Sequence, residues 1–200
     1  MTSLRKTELA LAPNTAPFAI RAEKASDVVA REALLDACFG ENRHMRTCQR
    51  LRDGRLPAAG LSFSAVCDGR LVGTVRLWQV CAGGIPALVL GPLAVDPACR
   101  RLGAGAALTV RALAAARARG HRAVILLGDA PYYARFGFSA DKTASLVLPG
   151  AFERGRLLGL ELDAGSLYGA WGMIVPTGAA VANAKPARAK RAARLITHVA

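Results

Sequence analysis

The sequence contains few aromatic residues, no paired cysteine motif and no long apolar segment. Phe, Trp and Tyr make up 6% of the chain although 52% of its residues are hydrophobic, so we expect a mainly aliphatic core. The cysteines are odd in number and include no C-x-x-C pair, which argues against a disulfide framework and a thiolate zinc site. We predict reduced thiols and no metal site. The five cysteines are Cys38, Cys48, Cys67, Cys81 and Cys99.

Membrane association and secretion are not predicted. The longest apolar run, residues 85–95, contains Pro86 and Pro92 and falls well short of the roughly 20 residues that cross a bilayer. The weak apolar segment near the N-terminus is interrupted by Glu8, Pro13 and Asn14, so it does not resemble a signal peptide. We therefore expect a cytoplasmic protein without a membrane partner.

Acidic residues are also scarce, with 14 Asp and Glu against 27 Lys and Arg, for a formal net charge of +13. Such a balance favours anionic partners such as a phosphorylated cofactor, a nucleic acid or an acidic protein. We predict a flexible arm over residues 1–16, a folded domain over residues 17–175 and a disordered basic tail over residues 176–200. The tail could alternatively contact nucleic acid weakly through phosphates, but it lacks the interleaved aromatics that stack on bases.

Turn signals divide the chain into alternating strands and helices. Asp68-Gly69 and Gly83-Gly84 predict hairpins that join strands near residues 61–67, 71–80 and 87–95. A long helix to about Arg119 and the apolar strand 123–127 predict a right-handed parallel crossover. The remaining predicted elements are a strand at 18–21, a helix at about 27–39, short helices within 41–57 and 129–135, and strands near 144–148, 157–162 and 171–175.

The most informative segment is the junction between the predicted strand near residues 87–95 and the long helix that follows it. Two glycines, Gly103 and Gly105, follow a buried strand and open the helix, where unpaired N–H groups and the helix dipole favour an anion such as a pyrophosphate. Arg100 and Arg101 add positive charge. An ordinary strand-to-helix turn is one alternative. A dinucleotide fingerprint is another, but its third glycine is replaced by Leu108 and the preceding strand lies in an antiparallel meander.

Two motifs resemble the GNAT acetyltransferase superfamily. Arg100-x-x-Gly103-x-Gly105 matches the acyl-coenzyme A loop, Q/R-x-x-G-x-G/A, and Tyr133 to Phe138 is similar to the family's Y-x-x-x-G-F. Segments 91–97 and 128–138 resemble the YhbS-like branch. The resemblance covers residues 17 to about 148, with 149–175 similar to that branch's extension of the sheet. It implies a mixed α/β fold, in which helices flank a largely antiparallel sheet that contains a splayed parallel pair.

The resemblance also implies an N-acetyltransferase that uses acetyl-coenzyme A as cosubstrate, needs no metal and acetylates a primary amine. The pantetheine arm would lie between the strands that end at Val95 and Leu127. Tyr133 would be the general acid that protonates the departing thiolate, and it is preferred over Tyr132 for its spacing to Gly137-Phe138. The implied cofactor-binding residues are Leu93, Ala94, Val95, Arg100, Arg101, Leu102, Gly103, Ala104, Gly105 and Ala106. Arg101 stands where the loop commonly has glycine, and Leu102 where it is often basic.

Several roles remain open at this level. Glu41, His44 or a water molecule could deprotonate the amine, whereas Asp129 is interpreted as a helix cap and Cys99 as a packed thiol. The arginine-rich segment 43–55 either forms a solvated helix face or attracts an acidic acceptor. A non-catalytic acyl-coenzyme A binder whose basic surface contacts nucleic acid is the alternative function. The chain could be a monomer or a homodimer, and the acceptor is not identified.

Overall fold

The structure, a computed structural model, describes residues 17–182, so the predicted arm and most of the predicted tail lie outside the described residues. The strands are β1 (Ala19–Ala22), β2 (Ser62–Cys67), β3 (Arg70–Ala82), β4 (Ile85–Val95), β5 (Ala123–Leu127), β6 (Leu146–Val147), β7 (Leu157–Glu161) and β8 (Gly172–Pro176). The helices are α1 (Val28–Phe39), α2 (Ala104–Ala118) and α3 (Ala130–Ala134). Short 3-10 turns cover Glu41–Met45, Thr47–Leu51, Pro97–Leu102 and Arg154–Arg156, among others.

The strands form one mixed sheet in the order β1-β2-β3-β4-β5-β7, and the only parallel neighbours on this path are β4 and β5. β8 pairs with the end of β3, and β6 pairs with β8. Both predicted hairpin turns are present, because Asp68 and Gly69 have φ of 48° and 77° and Gly83 and Gly84 have φ of 56° and 92°. The predicted mixed, largely antiparallel fold is confirmed.

Aliphatic side chains fill both faces of the sheet. Leu77, Leu88 and Leu126 pack with the buried face of α2 on one side, and residues next to them in sequence pack on the other side. Gly73 allows α2 to approach closely, because a Cβ there would lie 2.9 Å from Leu108 Cδ1. The core thus holds α2, and the loop before it, at a fixed distance from β4.

Buried ion pairs join β1, α1 and β3 at one edge of the domain. Asp27 lies at the N-terminus of α1, but its carboxylate does not cap that helix and instead accepts two hydrogen bonds from Arg21 at 2.6 and 2.8 Å. It also accepts hydrogen bonds from the Ser64 hydroxyl and the Lys24 N–H, both at 2.9 Å. The Arg21 guanidinium and these donors hold the pKa of Asp27 well below its usual range.

The folded chain continues past the predicted domain boundary at residue 175. β8 includes Pro176, and the Leu56 N–H donates a hydrogen bond to Ala179 O at 2.7 Å. The Val181 N–H donates to Gly54 O at 2.9 Å, so residues up to 181 pack against the segment before β2. Within residues 17–182, no helix has the length and apolar character needed to cross a membrane.

We predict that Asp27→Asn lowers the free energy of unfolding at pH 7 by about 1–3 kcal/mol, the range for hydrogen bonds to charged groups. Because the pKa of Asp27 is lowered on folding, its contribution is complete above the unfolded value of about 3.9 and is lost as the pH falls below it. The difference between the two proteins should therefore shrink between about pH 4 and pH 2. Denaturant titrations at several pH values measure this difference in the free energy of unfolding.

Asp163→Asn is the matched control. Asp163 is 57% exposed and pairs at 3.2 Å with Arg122, which is also exposed, so its removal should change stability by less than about 1 kcal/mol. Equal effects of the two substitutions at pH 7 would contradict the structural role of Asp27.

Candidate functional site

A bulge in β4 opens the sheet at its parallel pair. Val75 pairs with Leu93 but Leu77 pairs with Leu90, so β4 contains one extra residue at this point. The indole N–H of Trp78 donates a hydrogen bond to Gly91 O at 2.7 Å, which fixes the bulged carbonyl. Sequence reasoning did not identify this role, because a tryptophan in a strand is typical of core packing.

β4 and β5 are hydrogen-bonded over only two residue pairs, Leu88 with Val124 and Val89 with Ile125. Beyond them β4 continues to Val95, whereas β5 ends at Leu127 and remains paired along its other edge with β7. The predicted splayed parallel pair is therefore confirmed. One edge of β4 beyond residue 89 faces a cleft in place of a neighbouring strand.

This opening, which we call the strand cleft, has a volume of about 680 Å³. Its inner walls are residues 90–93 of β4, residues 127–129 at the end of β5 and the ring of Tyr133. Its outer part is formed by the 3-10 turns after α1 and by residues 151–153 and Arg156. The outer lining residues from the end of α1 and from the 3-10 turns that follow it are Phe39, Arg43, Met45, Arg46, Thr47, Cys48, Gln49 and Arg52.

A second, adjoining cavity of about 490 Å³ lies at the start of α2, and we call it the loop cleft. Gly103 has φ of 82°, a conformation that glycine adopts without strain, and it turns the chain from the 3-10 turn Pro97–Leu102 into α2. The first N–H groups of α2 have no acceptor within the helix. Arg100, Arg101 and Arg135 also line the cleft, so its chemistry suits an anion.

Most of the predicted cofactor-binding residues line the loop cleft. These are Leu93, Ala94, Val95, Arg100, Arg101, Gly103, Gly105 and Ala106. The side chains of Leu102 and Ala104 do not line it, because Leu102 is exposed to solvent and Ala104 is buried in the core. Any contribution from these two residues to a ligand therefore comes from their backbone.

The two adjacent tyrosines face different cavities, as their positions on a helix require. Tyr133 lines the strand cleft and packs against the core, where burial raises its pKa well above the ordinary value. Tyr132 lines the loop cleft, and its hydroxyl would lie 3.0 Å from a Cβ at Gly105. The sequence offered Tyr132 only as the less favoured acid, because the Y-x-x-x-G-F spacing points to its neighbour, and no motif marks its place at the loop cleft.

The two side chains that the sequence offered as candidate bases lie away from both clefts. Glu41 and His44 are exposed and line neither cleft. Asp129 lines the strand cleft, and its carboxylate accepts a hydrogen bond from the Tyr132 N–H at 3.2 Å, which confirms its predicted role as a helix cap. Glu153 also lines the strand cleft, 3.7 Å from Arg156, and no motif in the sequence marks it.

The five cysteines form no disulfide within residues 17–182, and Cys99 is buried in the core. Cys38 lines the loop cleft, and its Sγ lies 3.4 Å from the Val95 carbonyl oxygen, to which it donates. Among residues 17–182, no three His, Cys, Asp and Glu side chains lie close enough together to hold a metal ion.

Residues 58–140 match the family model of the acetyltransferase (GNAT) domain. The chain therefore contains a segment similar to the GNAT acetyltransferase domain. The matched segment begins just before β2 and ends just after α3, so it contains the bulge, the splayed strands, the glycine loop and both tyrosines. The predicted resemblance and the enzyme class that it implies are thereby confirmed.

Two solved structures share this GNAT fold with 28% sequence identity. YhbS from Escherichia coli, in complex with coenzyme A, has a TM-score of 0.67, and the match covers 80% of this chain and 89% of that one. A GNAT acetyltransferase from Brucella melitensis, in complex with acetyl-coenzyme A, has a TM-score of 0.54, and the match covers 70% of this chain and 94% of that one. The comparison with curated protein sequences found no match.

The ring of Tyr133 depends on the absence of a side chain at position 128, so we predict that Gly128→Ala destabilises the domain. A Cβ at Gly128 would lie 2.4 Å from Tyr133 Cε2, and the ring would have to move. Overpacking of this kind costs about 1–3 kcal/mol. Chemical unfolding measures the loss, and near-ultraviolet circular dichroism reports the tyrosine environment.

Gly155→Ala is the control for this substitution. Neither glycine has a positive φ, and a Cβ at Gly155 would meet no atom within 4 Å. Its stability should stay within about 0.5 kcal/mol of the original protein. If Gly128→Ala is equally neutral, the Tyr133 ring is not confined as described.

Proposed function

We propose that this protein transfers the acetyl group of acetyl-coenzyme A directly to a primary amine. The observation that carries the proposal is the pair of adjoining cavities, which share Phe39 and Leu93, with an anion-binding helix start in one and Tyr133 at the splayed strands in the other. The complexes of the Escherichia coli and Brucella melitensis relatives with coenzyme A and acetyl-coenzyme A support the same cosubstrate.

In this proposal the pyrophosphate binds at the glycine loop. Backbone N–H groups of residues 101–106 donate hydrogen bonds to its oxygens, and Arg100 and Arg101 lie beside it. The pantetheine arm then follows the unpaired edge of β4, where the backbone of residues 93–95 hydrogen-bonds to its amides as a neighbouring strand would. A cosubstrate bound in this way directs its thioester into the strand cleft.

The chemical step needs a neutral amine, a polarised carbonyl and a protonated leaving group. The amine nitrogen forms a bond to the thioester carbon, and negative charge develops on the carbonyl oxygen, which a fixed backbone N–H stabilises by a few kcal/mol. The C–S bond then breaks, and its electron pair leaves with sulfur. Tyr133 donates a proton to that sulfur, and the proton released by the nitrogen returns to Tyr133 through water.

Tyr133 suits the role of acid because it stays protonated. Its burial raises its pKa above the ordinary value of about 10, so the phenol retains its proton throughout the physiological range. Tyr132 lies on the other side of α3 against the start of α2, and it belongs to the loop cleft. The base is assigned to water, since Asp129 is held as a helix cap.

We predict that Tyr133→Phe lowers kcat by about 10²- to 10⁴-fold, the usual contribution of a general acid. The Kd for acetyl-coenzyme A should change little, because the ring and its packing are retained. Release of coenzyme A thiol with a panel of amines measures turnover, and calorimetry measures binding. Tyr168→Phe is the control, since Tyr168 is 90% exposed and lines neither cleft. Unchanged kcat in Tyr133→Phe would remove Tyr133 as the acid.

We also predict that Gly103→Ala weakens acetyl-coenzyme A binding. An alanine at φ of 82° is strained by about 1–2 kcal/mol, and the start of α2 relieves that strain by leaving the conformation that binds phosphate. The Kd should rise about 5- to 30-fold. Gly120→Ala is the control, because Gly120 has φ of 76° at the other end of α2, away from both clefts. Equal Kd values for the two variants would contradict the proposed role of the loop.

A further inference from the structure

The outer part of the strand cleft is strongly basic. Four arginines line it, Arg43, Arg46, Arg52 and Arg156, against one carboxylate among the described residues, that of Glu153, while Asp129 belongs to the inner wall. The inner part is occupied by the pantetheine arm in the proposed complex, so the outer part is the space left for the acceptor. Whether each arginine can bind an acceptor therefore depends on the ion pairs and hydrogen bonds that its guanidinium already makes within the protein.

Three of the four guanidiniums have partners within the protein. Arg43 is paired with Glu32 at 2.5 Å and Asp36 at 2.7 Å. Arg46 lies over the ring of Phe39, 5.1 Å from its centroid, and donates to the Phe39 carbonyl at 3.3 Å. Arg156 donates from Nε to Gly128 O at 3.3 Å and lies 3.7 Å from Glu153, a long and exposed contact.

Arg52 differs from the other three. Its Nε donates to Cys48 O at 3.2 Å, but among residues 17–182 its two terminal nitrogens have no hydrogen-bond acceptor and no carboxylate partner. Among the described residues, Thr74 Oγ1 is the one fully buried side-chain nitrogen or oxygen atom that has no hydrogen-bond partner. The terminal nitrogens of Arg52, which also have no partner, are therefore not fully buried. The terminal nitrogens of Arg52 are therefore open to solvent at a wall of the strand cleft.

The charge of Arg52 is only partly compensated by its surroundings. Burial lowers its pKa most strongly, Cys48 and Asp53 raise it, and the guanidiniums of Arg43 and Arg46 lower it. A partly buried guanidinium with free donors is costly in the empty protein, and an anion that enters the cleft would relieve that cost. A guanidinium presents paired donors that match the two oxygens of a carboxylate or phosphate.

We infer that the acceptor is a small amine that carries a carboxylate or phosphate, and that Arg52 binds this anionic group in the outer strand cleft. The inference rests on the proposed acetyltransferase function and adds the substrate class. Because Arg52 is recessed in the cleft, the anion must enter together with the amine that is acetylated. Arg52 thus acts as a specificity residue, while the transfer itself uses the thioester, the amine and Tyr133.

The test compares amines that differ in their anionic group. β-Alanine is paired with propylamine, and phosphoethanolamine with ethanolamine, while putrescine serves as a cationic amine; all are assayed with saturating acetyl-coenzyme A in buffer free of phosphate. We expect kcat/KM for at least one anionic amine to exceed that of its neutral partner about 10- to 100-fold, the value of charge-assisted hydrogen bonds. The two pairs distinguish a carboxylate from a phosphate.

Arg52→Gln should reduce this ratio of anionic to neutral amine about 10- to 100-fold. Arg50→Gln is the matched control, because Arg50 lies in the 3-10 turn that directly precedes Arg52 but donates to Pro149 O at 2.5 Å and does not line the cleft. Thermal unfolding and acetyl-coenzyme A calorimetry on both variants exclude misfolding. As a second measurement that requires no variant, propionate or inorganic phosphate should inhibit competitively with the amine and not with acetyl-coenzyme A.

The outcomes separate this inference from the function on which it rests. If both neutral amines are acetylated as fast as or faster than their anionic partners, or if putrescine matches or exceeds every anionic amine, the anionic acceptor is overturned and the acetyltransferase function stays intact. A ratio that is unchanged in Arg52→Gln would overturn the role of Arg52 alone. Absence of acetyl-coenzyme A binding, or binding without thiol release from any amine, would overturn the proposed function and this inference together.

Discussion

The site depends on the short length of the hydrogen-bonded contact between β4 and β5. Only two residue pairs join these strands, because the bulge at Gly91-Pro92 turns β4 away from β5, which remains paired with β7. An unpaired strand edge must find other hydrogen-bond partners, and in this fold it faces a cavity. Trp78 stabilises the bulge by holding the Gly91 carbonyl, so a buried side chain maintains the opening.

The rest of the architecture holds groups at the two ends of that opening. α2 is fixed against β3 by close packing at Gly73 and Leu108, and its first turn therefore presents N–H groups beside β4. α3 follows β5 directly and begins at the Asp129 cap, so its two tyrosines lie between the cavities. The site is thus assembled from strand ends and helix starts, where backbone groups are left without partners.

Charge is distributed unevenly around these cavities. At the loop cleft, Arg100, Arg101 and Arg135 surround a helix start that already favours anions. At the outer strand cleft, Arg43 is neutralised by Glu32 and Asp36, whereas the terminal nitrogens of Arg52 have no protein partner among the described residues. The basic residues of the strand cleft therefore differ in role: Arg43 forms ion pairs within the protein, whereas Arg52 is open to a ligand.

The sequence by itself determined the order of the elements, the two hairpin turns, the glycine loop and the Tyr133 motif, because turn chemistry and apolar periodicity are local properties. Tertiary structure decided the rest. Glu153 at the strand cleft and Trp78 at the bulge come from segments far apart in the chain, and no local pattern marks them. The arginine-rich segment 43–55 is visible in the sequence, but only the fold distinguishes Arg52 from the other arginines of that segment. Asp27 illustrates the same limit: it precedes α1 but does not cap it, because the fold places the Arg21 guanidinium and the Ser64 hydroxyl against its carboxylate.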